Sequence, residues 1–333
     1  MKWSTLTLLG TKFAGNAEGA LVPRRILITG AAGFVGKHLR PVLTAAFPDA
    51  AVVPATFDLR DHTAIREALQ ADPPDACVHL AAVSAVTAAD ADPDAAWQVN
   101  LHGTLALARA LLAATPHCTL LYVSTADAYG RSFRSGVPAI EATALAPMNT
   151  YGVTKAAADL ALGAMAGEGL HVIRVRPFNH TGPGQSDAFV VAAFARQVAR
   201  IAAGLQSNVL RVGALEPQRD FLDVRDVCAA YALCLERAAA IPTGTVFNVA
   251  SGVARRVGDV LAELLAIAGV QAKVETDADR LRPADIPTAS GDASAARALL
   301  GWMPRIPWHI TLADTLDDWR ARVLVEPNCT APN

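Results

Sequence analysis

The chain of 333 residues carries 29 lysines and arginines against 31 aspartates and glutamates, with 52% apolar and 18% charged residues. That length fits one large domain or two modest ones, and the apolar content excludes a disordered chain. A formal net charge of −2 lacks the basic excess of a nucleic-acid binder, so no nucleic-acid partner is expected.

Mean hydropathy is +0.29, raised by alanine, yet no window offers the ~18 consecutive apolar residues of a spanning helix. No membrane partner is expected. The cysteines, Cys77, Cys118, Cys228, Cys234 and Cys329, are odd in number and scattered, with no CxxC pair. Neither a disulfide framework nor a metal site is expected, and a reducing cytoplasm fits best. Residues 1–22 hold only the short apolar run Leu6-Thr7-Leu8-Leu9, with no cleavage pattern after it, and read as a loose N-terminal extension.

Arg25–Thr29 is an apolar run ending at Gly30, the pattern of a strand buried on both faces. A helix is read over Phe34–Ala46, a strand over Val52–Ala55, a helix over Asp61–Ala71 and a strand over Ala76–Leu80. Then come a long helix over Ala95–Ala114, a strand over Thr119–Val123, a helix over Tyr151–Glu168 and a strand over His171–Arg176. This alternation predicts an α/β chain with a Rossmann-type, doubly wound parallel sheet. After Pro177 the pattern changes. A loop at Pro183-Gly184-Gln185 precedes helices at Phe189–Gly204, Asp226–Ala239, Val257–Gly269 and Ala293–Leu300, with a last sheet strand at Val246–Val249. The expected division is a dinucleotide-binding domain over 23–177 plus about 226–251 and a smaller, interleaved C-terminal substrate-binding region over 178–225 and 252–325.

Three constellations carry chemistry. Gly30-Ala-Ala-Gly33-Phe34-Val35-Gly36 follows a strand and opens a helix. Glycines let backbone approach a pyrophosphate, and the helix N-terminus offers free N–H groups. The spacing is GxxGxxG rather than the dehydrogenase GxGxxG. The carboxylate expected at the end of strand two is displaced to Asp58, which could hydrogen-bond an adenine edge or a ribose, while Asp61 suits a helix cap. Arg40 and Arg60 are candidates for a 2′-phosphate, so the choice between NAD and NADP stays open. Next, Tyr151 and Lys155 stand at i and i+4 on one helical face. A lysine cation there is expected to lower the tyrosine pKa and ready it for proton transfer; an ordinary packed aromatic is the plainer reading. Last, Ser124 and Thr125 follow strand four, where an open α/β sheet binds ligands, and either hydroxyl could hold a substrate carbonyl.

With Gln98-Val99-Asn100-Leu101-His102-Gly103-Thr104, these segments resemble the extended short-chain dehydrogenase/reductases of the nucleotide-sugar branch, over about residues 24 to 320. Arg176-Pro-Phe-Asn179-His-Thr-Gly-Pro-Gly-Gln185, Gln218-Arg219-Asp220-Phe221-Leu-Asp223-Val-Arg225-Asp226 and Arg280-Leu-Arg282-Pro283-Ala-Asp285-Ile-Pro287 narrow it. They resemble the GDP-mannose 4,6-dehydratase group, and within it the GDP-4-dehydro-6-deoxy-D-mannose reductases. The resemblance implies Thr125, Tyr151 and Lys155 as the catalytic set. It implies NADP or NAD held by Gly30, Gly33, Phe34, Val35, Gly36, Asp58, Leu59, Ala81, Ala82, Asn100, Tyr151 and Lys155. It implies a GDP-sugar held by Ser84, Thr125, Asp127, Asn179, Arg219, Arg282 and the Phe189-Val190 backbone; paired guanidinium groups suit a diphosphate. It also implies a homodimer through the helices at Ala95–Ala114 and Tyr151–Glu168. Asp223 and Asp226 read as structural, Asp226 as a helix cap.

Residues 125–127 separate two activities. The resembled dehydratases carry a glutamate at the position of Asp127, which moves the proton at sugar carbon 5. Aspartate is one methylene shorter, and a proton-transfer group must reach within about 3 Å. The expectation is therefore reduction of a 4-keto group; the resemblance implies GDP-4-dehydro-6-deoxy-D-mannose as substrate and GDP-D-rhamnose as product, with GDP-6-deoxy-D-talose the product of hydride delivery to the other face. A GDP-mannose 4,6-dehydratase, another epimerase or reductase of the family, and a non-catalytic dinucleotide-binding protein are the alternatives. The intact Tyr151/Lys155 pair speaks against the last.

Overall fold

The computed structural model describes residues 23–278 and 286–326. The expected extension at 1–22, Cys329 and the candidate Arg282 lie outside the described residues.

The first half alternates as the sequence predicts. β1 (Arg25–Thr29), α1 (Phe34–Ala46), β2 (Ala51–Pro54), α2 (His62–Ala71) and β3 (Ala76–His79) follow one another. Asp61 caps α2, its carboxylate accepting from the amides of Thr63 and Ala64. The helix expected over Ala95–Ala114 is a continuous run of α4 (Pro93–Trp97), a π-helical turn (Gln98–Gly103) and α5 (Thr104–Ala114), preceded by the separate α3 (Val86–Ala91). The break between α3 and α4 is local chemistry. Asp92 accepts from the Ala95 amide, and Pro93 starts the new helix. β4 (Thr119–Val123), α6 (Thr150–Met165) and β5 (His171–Pro177) complete this half.

Beyond β5 run β6 (Asn179–Thr181), α7 (Val190–Ala202), β7 (Val209–Val212), β8 (Gln218–Asp223), α8 (Val224–Glu236) and β9 (Thr245–Val249). β10 (Ala254–Arg256), α9 (Val257–Ala268), β11 (Lys273–Thr276), β12 (Thr288–Ala289), α10 (Ser294–Leu300) and α11 (Trp308–Val323) follow. Short strands give no readable period, so β6, β7, β8, β10, β11 and β12 had no sequence signal. α11 was also not expected. Asp226 is not the cap of α8: Asp223 is, accepting from the Arg225 amide at 2.8 Å, while Asp226 sits in the first turn and accepts from the Ile306 amide at 3.0 Å.

The main sheet is parallel throughout, in the order β2-β1-β3-β4-β5-β9. Its strands bury alternate residues in two cores, as a pleat covered on both faces must. Ile26, Ile28, Val78 and Leu121 join α1 and α8 on one side. Leu27, Cys77, Leu120 and Val172 join α2, α5 and α6 on the other. The strand order reverses between β1 and β3, and ligands of open α/β sheets bind beyond the strand ends at such a point. A third core gathers α7, α9 and α11 around Phe221. No described helix is long and apolar enough to cross a membrane.

Asp220 ties the small sheet β10-β8-β12 to the loops beside it. Fully buried, it accepts from the Ser251 amide (2.8 Å), the Ser251 hydroxyl (2.6 Å), the Gly252 amide (2.9 Å) and the Gly291 amide (3.3 Å). Asp220→Ala strands these donors, and urea denaturation is expected to show a loss of about 3 kcal/mol or more.

Candidate active site

The site lies at the carboxyl ends of β1, β3 and β4. Gly30 turns the chain with φ +71°, and a Cβ there would meet the Ala81 nitrogen at 2.8 Å, so this turn and the turn after β3 touch through bare backbone. α1 starts with Gly33 as its cap, with no side-chain cap bond and no acidic residue in the first turn. Its leading amides are thus not taken by a side chain, which fits the pyrophosphate of a dinucleotide.

Several predicted cofactor residues engage the rest of the protein through their side chains or carbonyls. Phe34 packs edge-on to His38 (centroids 5.5 Å apart) and face-on to His180 (6.2 Å). The Val35 carbonyl accepts the Cys228 thiol. Leu59 is a core residue, leaving only its backbone for a ligand. Asp58 is gripped by Arg60, whose Nε and Nη2 donate to its carboxylate at 3.1 and 2.6 Å, holding it well below the usual range. This pairing also occupies Arg60, a candidate for a 2′-phosphate. Asn100 does not open to the cleft. It is fully buried, its Oδ1 accepts from the Val83 amide at 2.8 Å, and its Nδ2 donates to the Val83 carbonyl (3.2 Å) and the Thr154 hydroxyl (3.0 Å). Ala81 and Ala82 are half-buried and Ser84 is exposed.

Thr125, rather than buried Ser124, meets the tyrosine. Thr125 caps the turn Ala126–Ala128, accepting from the Asp127 amide at 3.1 Å, and its hydroxyl lies close enough to Tyr151 to favour the tyrosinate. The Asn149 side chain caps α6, accepting from the Gly152 amide at 2.7 Å, and so fixes the turn that carries Tyr151. One turn on, Lys155 is 2% exposed, with Nζ 4.2 Å from the centre of the Tyr122 ring. Another turn on, Asp159 receives Arg174 Nη1 at 3.0 Å and Arg176 Nε at 2.9 Å. This network was readable as a third member of the i, i+4 series, an acid after Tyr151 and Lys155, and was missed.

The electrostatics correct one expectation. Burial, then the Asp127 charge, push the Tyr151 pKa up, and the Thr125 hydroxyl only partly opposes them. Burial pushes Lys155 down to about 7, against the pull of Asp159. The net displacement of Tyr151 is therefore upward: burial outweighs what a neighbouring cation, its own charge disfavoured, contributes.

The substrate side comes from distant segments. Arg219 on β8 donates through Nη1 to the Gln218 carbonyl (2.8 Å) and the Ile286 carbonyl (3.1 Å), and the Asp127 charge reaches it. Asn179 pairs in register with Phe221, two residues from Arg219, and is exposed. Phe189 and Val190 open α7 and are 36% and 38% exposed.

The GDP-mannose 4,6 dehydratase family model matches residues 48–315. The chain belongs to this family. It lies within the extended short-chain dehydrogenase/reductases, whose chemistry depends on NAD(P). It is 40% identical to GDP-6-deoxy-D-mannose reductase of Pseudomonas aeruginosa over 306 residues, 91% of this chain and 99% of that one. Its fold is similar to the structure of RMD from Pseudomonas aeruginosa complexed with NADPH (TM-score 0.83, 38% identity, 90% of this chain and 99% of that one). It is also similar to UDP-glucose 4-epimerase of Thermus thermophilus with NAD (TM-score 0.77, 28% identity, 89% and 99%).

Two pH effects follow from Lys155. The value of kcat/KM, which reports free-enzyme groups, is expected to fall as pH rises through about 7 and the lysine loses its proton; Lys155→Met should be slow and lack this limb. Stability has its own sign. The folded pKa lies below the ordinary 10.5, so burying the cation costs stability in full below about pH 7, and the cost fades as pH rises toward 10.5. Denaturation across that window should show stability rising with pH in the wild type relative to Lys155→Met.

Proposed function

We propose that this protein reduces the 4-keto group of GDP-4-dehydro-6-deoxy-D-mannose, giving GDP-D-rhamnose. The observation that carries the reading is a Tyr151 hydroxyl set beside Thr125 and kept protonated by burial, with the short Asp127 near it in place of a longer base. The 40% identical reductase supports it.

The reduced nicotinamide supplies a hydride when bound. The glycine turn, the leading amides of α1 and the backbone of Leu59, Ala81 and Ala82 would hold the dinucleotide. Thr125 and Tyr151 donate hydrogen bonds to the keto oxygen and aim carbon 4. Tyr151 then releases its proton to that oxygen, and charged Lys155 stabilises the tyrosinate left behind. Arg219 and Arg282 grip the diphosphate, Asn179 the sugar side, and the Phe189-Val190 backbone the guanine. Ser84 borders the sugar.

The same reading divides the chain into a dinucleotide-binding domain of 23–177 plus about 226–251 and a substrate region of 178–225 and 252–325. It places the protein in the cytoplasm, where thiols such as buried Cys77, Cys118, Cys228 and Cys234 stay reduced. It makes it a homodimer through α5 and α6, where Leu160 is 59% exposed and Leu105 and Leu112 are half-buried.

The test is NADPH oxidation with the GDP ketosugar beside its UDP and dTDP counterparts, with the product stereochemistry read by proton NMR. The GDP form should be reduced fastest and yield GDP-D-rhamnose; equal rates on all three would sink the GDP assignment. Tyr151→Phe should cut turnover by roughly 100- to 10,000-fold. Asp127→Asn should cost much less. A loss as large, together with conversion of GDP-mannose without added cofactor, would favour the dehydratase.

A further inference from the structure

Behind the reacting pair lies a buried histidine that the mechanism leaves unused. His79 ends β3 and is fully buried, with Nδ1 2.6 Å from the Thr29 hydroxyl and Nε2 2.8 Å from the Thr104 hydroxyl. Both threonines are themselves buried. Proton accounting fixes the direction of each bond. The Thr104 hydroxyl donates its one proton to the Asn100 carbonyl at 2.8 Å, so toward His79 it can only accept, and Nε2 must carry the hydrogen. The Thr29 hydroxyl accepts the Ala81 amide at 3.2 Å and has one proton to place; the lone pair of Nδ1 takes it. A cationic ring would leave the Thr29 proton unplaced in a dry interior and add a charge beside Lys155. Burial and that lysine hold the imidazolium pKa down at about 3. The Tyr122 ring, under the Lys155 ammonium, packs 5.9 Å from the imidazole.

Both ends of this chain reach the site. Ala81 abuts Gly30 in the two cofactor turns. From Asn100 the path continues through its Nδ2 to the Thr154 hydroxyl, which donates to the Tyr151 carbonyl at 3.0 Å.

We propose that His79, locked as the neutral Nε2–H tautomer, is a positioning residue that sets the spacing between the Gly30 and Ala81 turns and the helix bearing Tyr151 and Lys155. The proposal rests on the assignment of Tyr151 and Lys155 as the reacting pair. Its chemistry needs one donor and one acceptor at the two ring nitrogens, so a reversed or charged ring breaks the chain at a threonine.

The first test is NMR of the full chain labelled with 15N-histidine, the His79 signals being assigned by their loss in His79→Gln. A hydrogen on Nε2 and none on Nδ1, unchanged from about pH 5 to about pH 9, is expected. An Nδ1–H ring, or one that titrates in that range, overturns the proposal. This readout is independent of turnover, so it separates from failure of the catalytic assignment, which a fully active Tyr151→Phe would reveal. The second test compares Thr104→Val, which keeps the shape and removes the hydroxyl, with Thr104→Ser, which restores it. Thr104→Val should weaken NADPH binding by about 3-fold or more and lower kcat by about 10-fold or more, as small misplacements of reacting groups do. Thr104→Ser should recover both to within about 3-fold of the wild type. A folded Thr104→Val with wild-type affinity and kcat, or a Thr104→Ser as impaired as Thr104→Val, means that only packing matters there and overturns the proposal.

Discussion

One buried carboxylate organises this molecule. Asp159 has no exposed surface and takes both Arg174 and Arg176, two guanidinium groups delivered by alternate residues of β5. A desolvated charge is tolerable only when paired and hydrogen-bonded, and this one is saturated by arginine. Lys155, one turn earlier on α6, therefore feels Asp159 without owning it. That is why burial outweighs the attraction and the ammonium is held near pH 7. Arg176 passes the constraint outward, donating to the Tyr129 hydroxyl (3.1 Å) and the Glu141 carbonyl (3.0 Å). Tyr129 donates to the Asn248 side chain at 2.7 Å, whose amide nitrogen donates to the Ala139 and Asp292 carbonyls. One connected polar network thus runs from the catalytic helix through β5 to β9 and the segment before α10. Shifting α6 would disturb all of it, which makes the register of Tyr151 over Thr125 stiff.

Legibility in the sequence followed the length of the signal. α1 has the ends its periodicity gives, and the glycine turn sits where a strand–glycine–helix junction must place it. The π-helical turn at Gln98–Gly103 was invisible, because an apolar pattern over Ala95–Ala114 looks continuous whether or not one turn is widened. Asn100 shows a different limit. Its type and position are plain in the sequence, but whether its amide faces a ligand or the Val83 backbone depends on how the turn after β3 packs on the π-helical turn, and that is a tertiary fact. His79 stood in a run, Ala76-Cys-Val-His-Leu80, that reads as strand alone; only the threonines at the ends of β1 and α5 give it a role. Asp58 and Arg60 read as separate ligands in the sequence, although two residues apart on an exposed turn they satisfy each other.

Two displaced pKa values suit a site that delivers a proton to a ketone. An enzyme that takes a proton from an alcohol needs its tyrosine ionised before the reaction, and a cation at full strength beside it supplies that. Here burial and Asp127 keep Tyr151 protonated at rest, so the site meets a ketone with its proton already in place. Once that proton leaves, the balance inverts: a tyrosinate in a desolvated pocket is costly alone, and the same event makes the Lys155 ammonium, half-disfavoured at neutral pH, worth keeping. The lysine acts on the product state of the proton transfer more than on the resting state. An environment that keeps the tyrosine protonated at rest suits the reductive direction proposed for this chain.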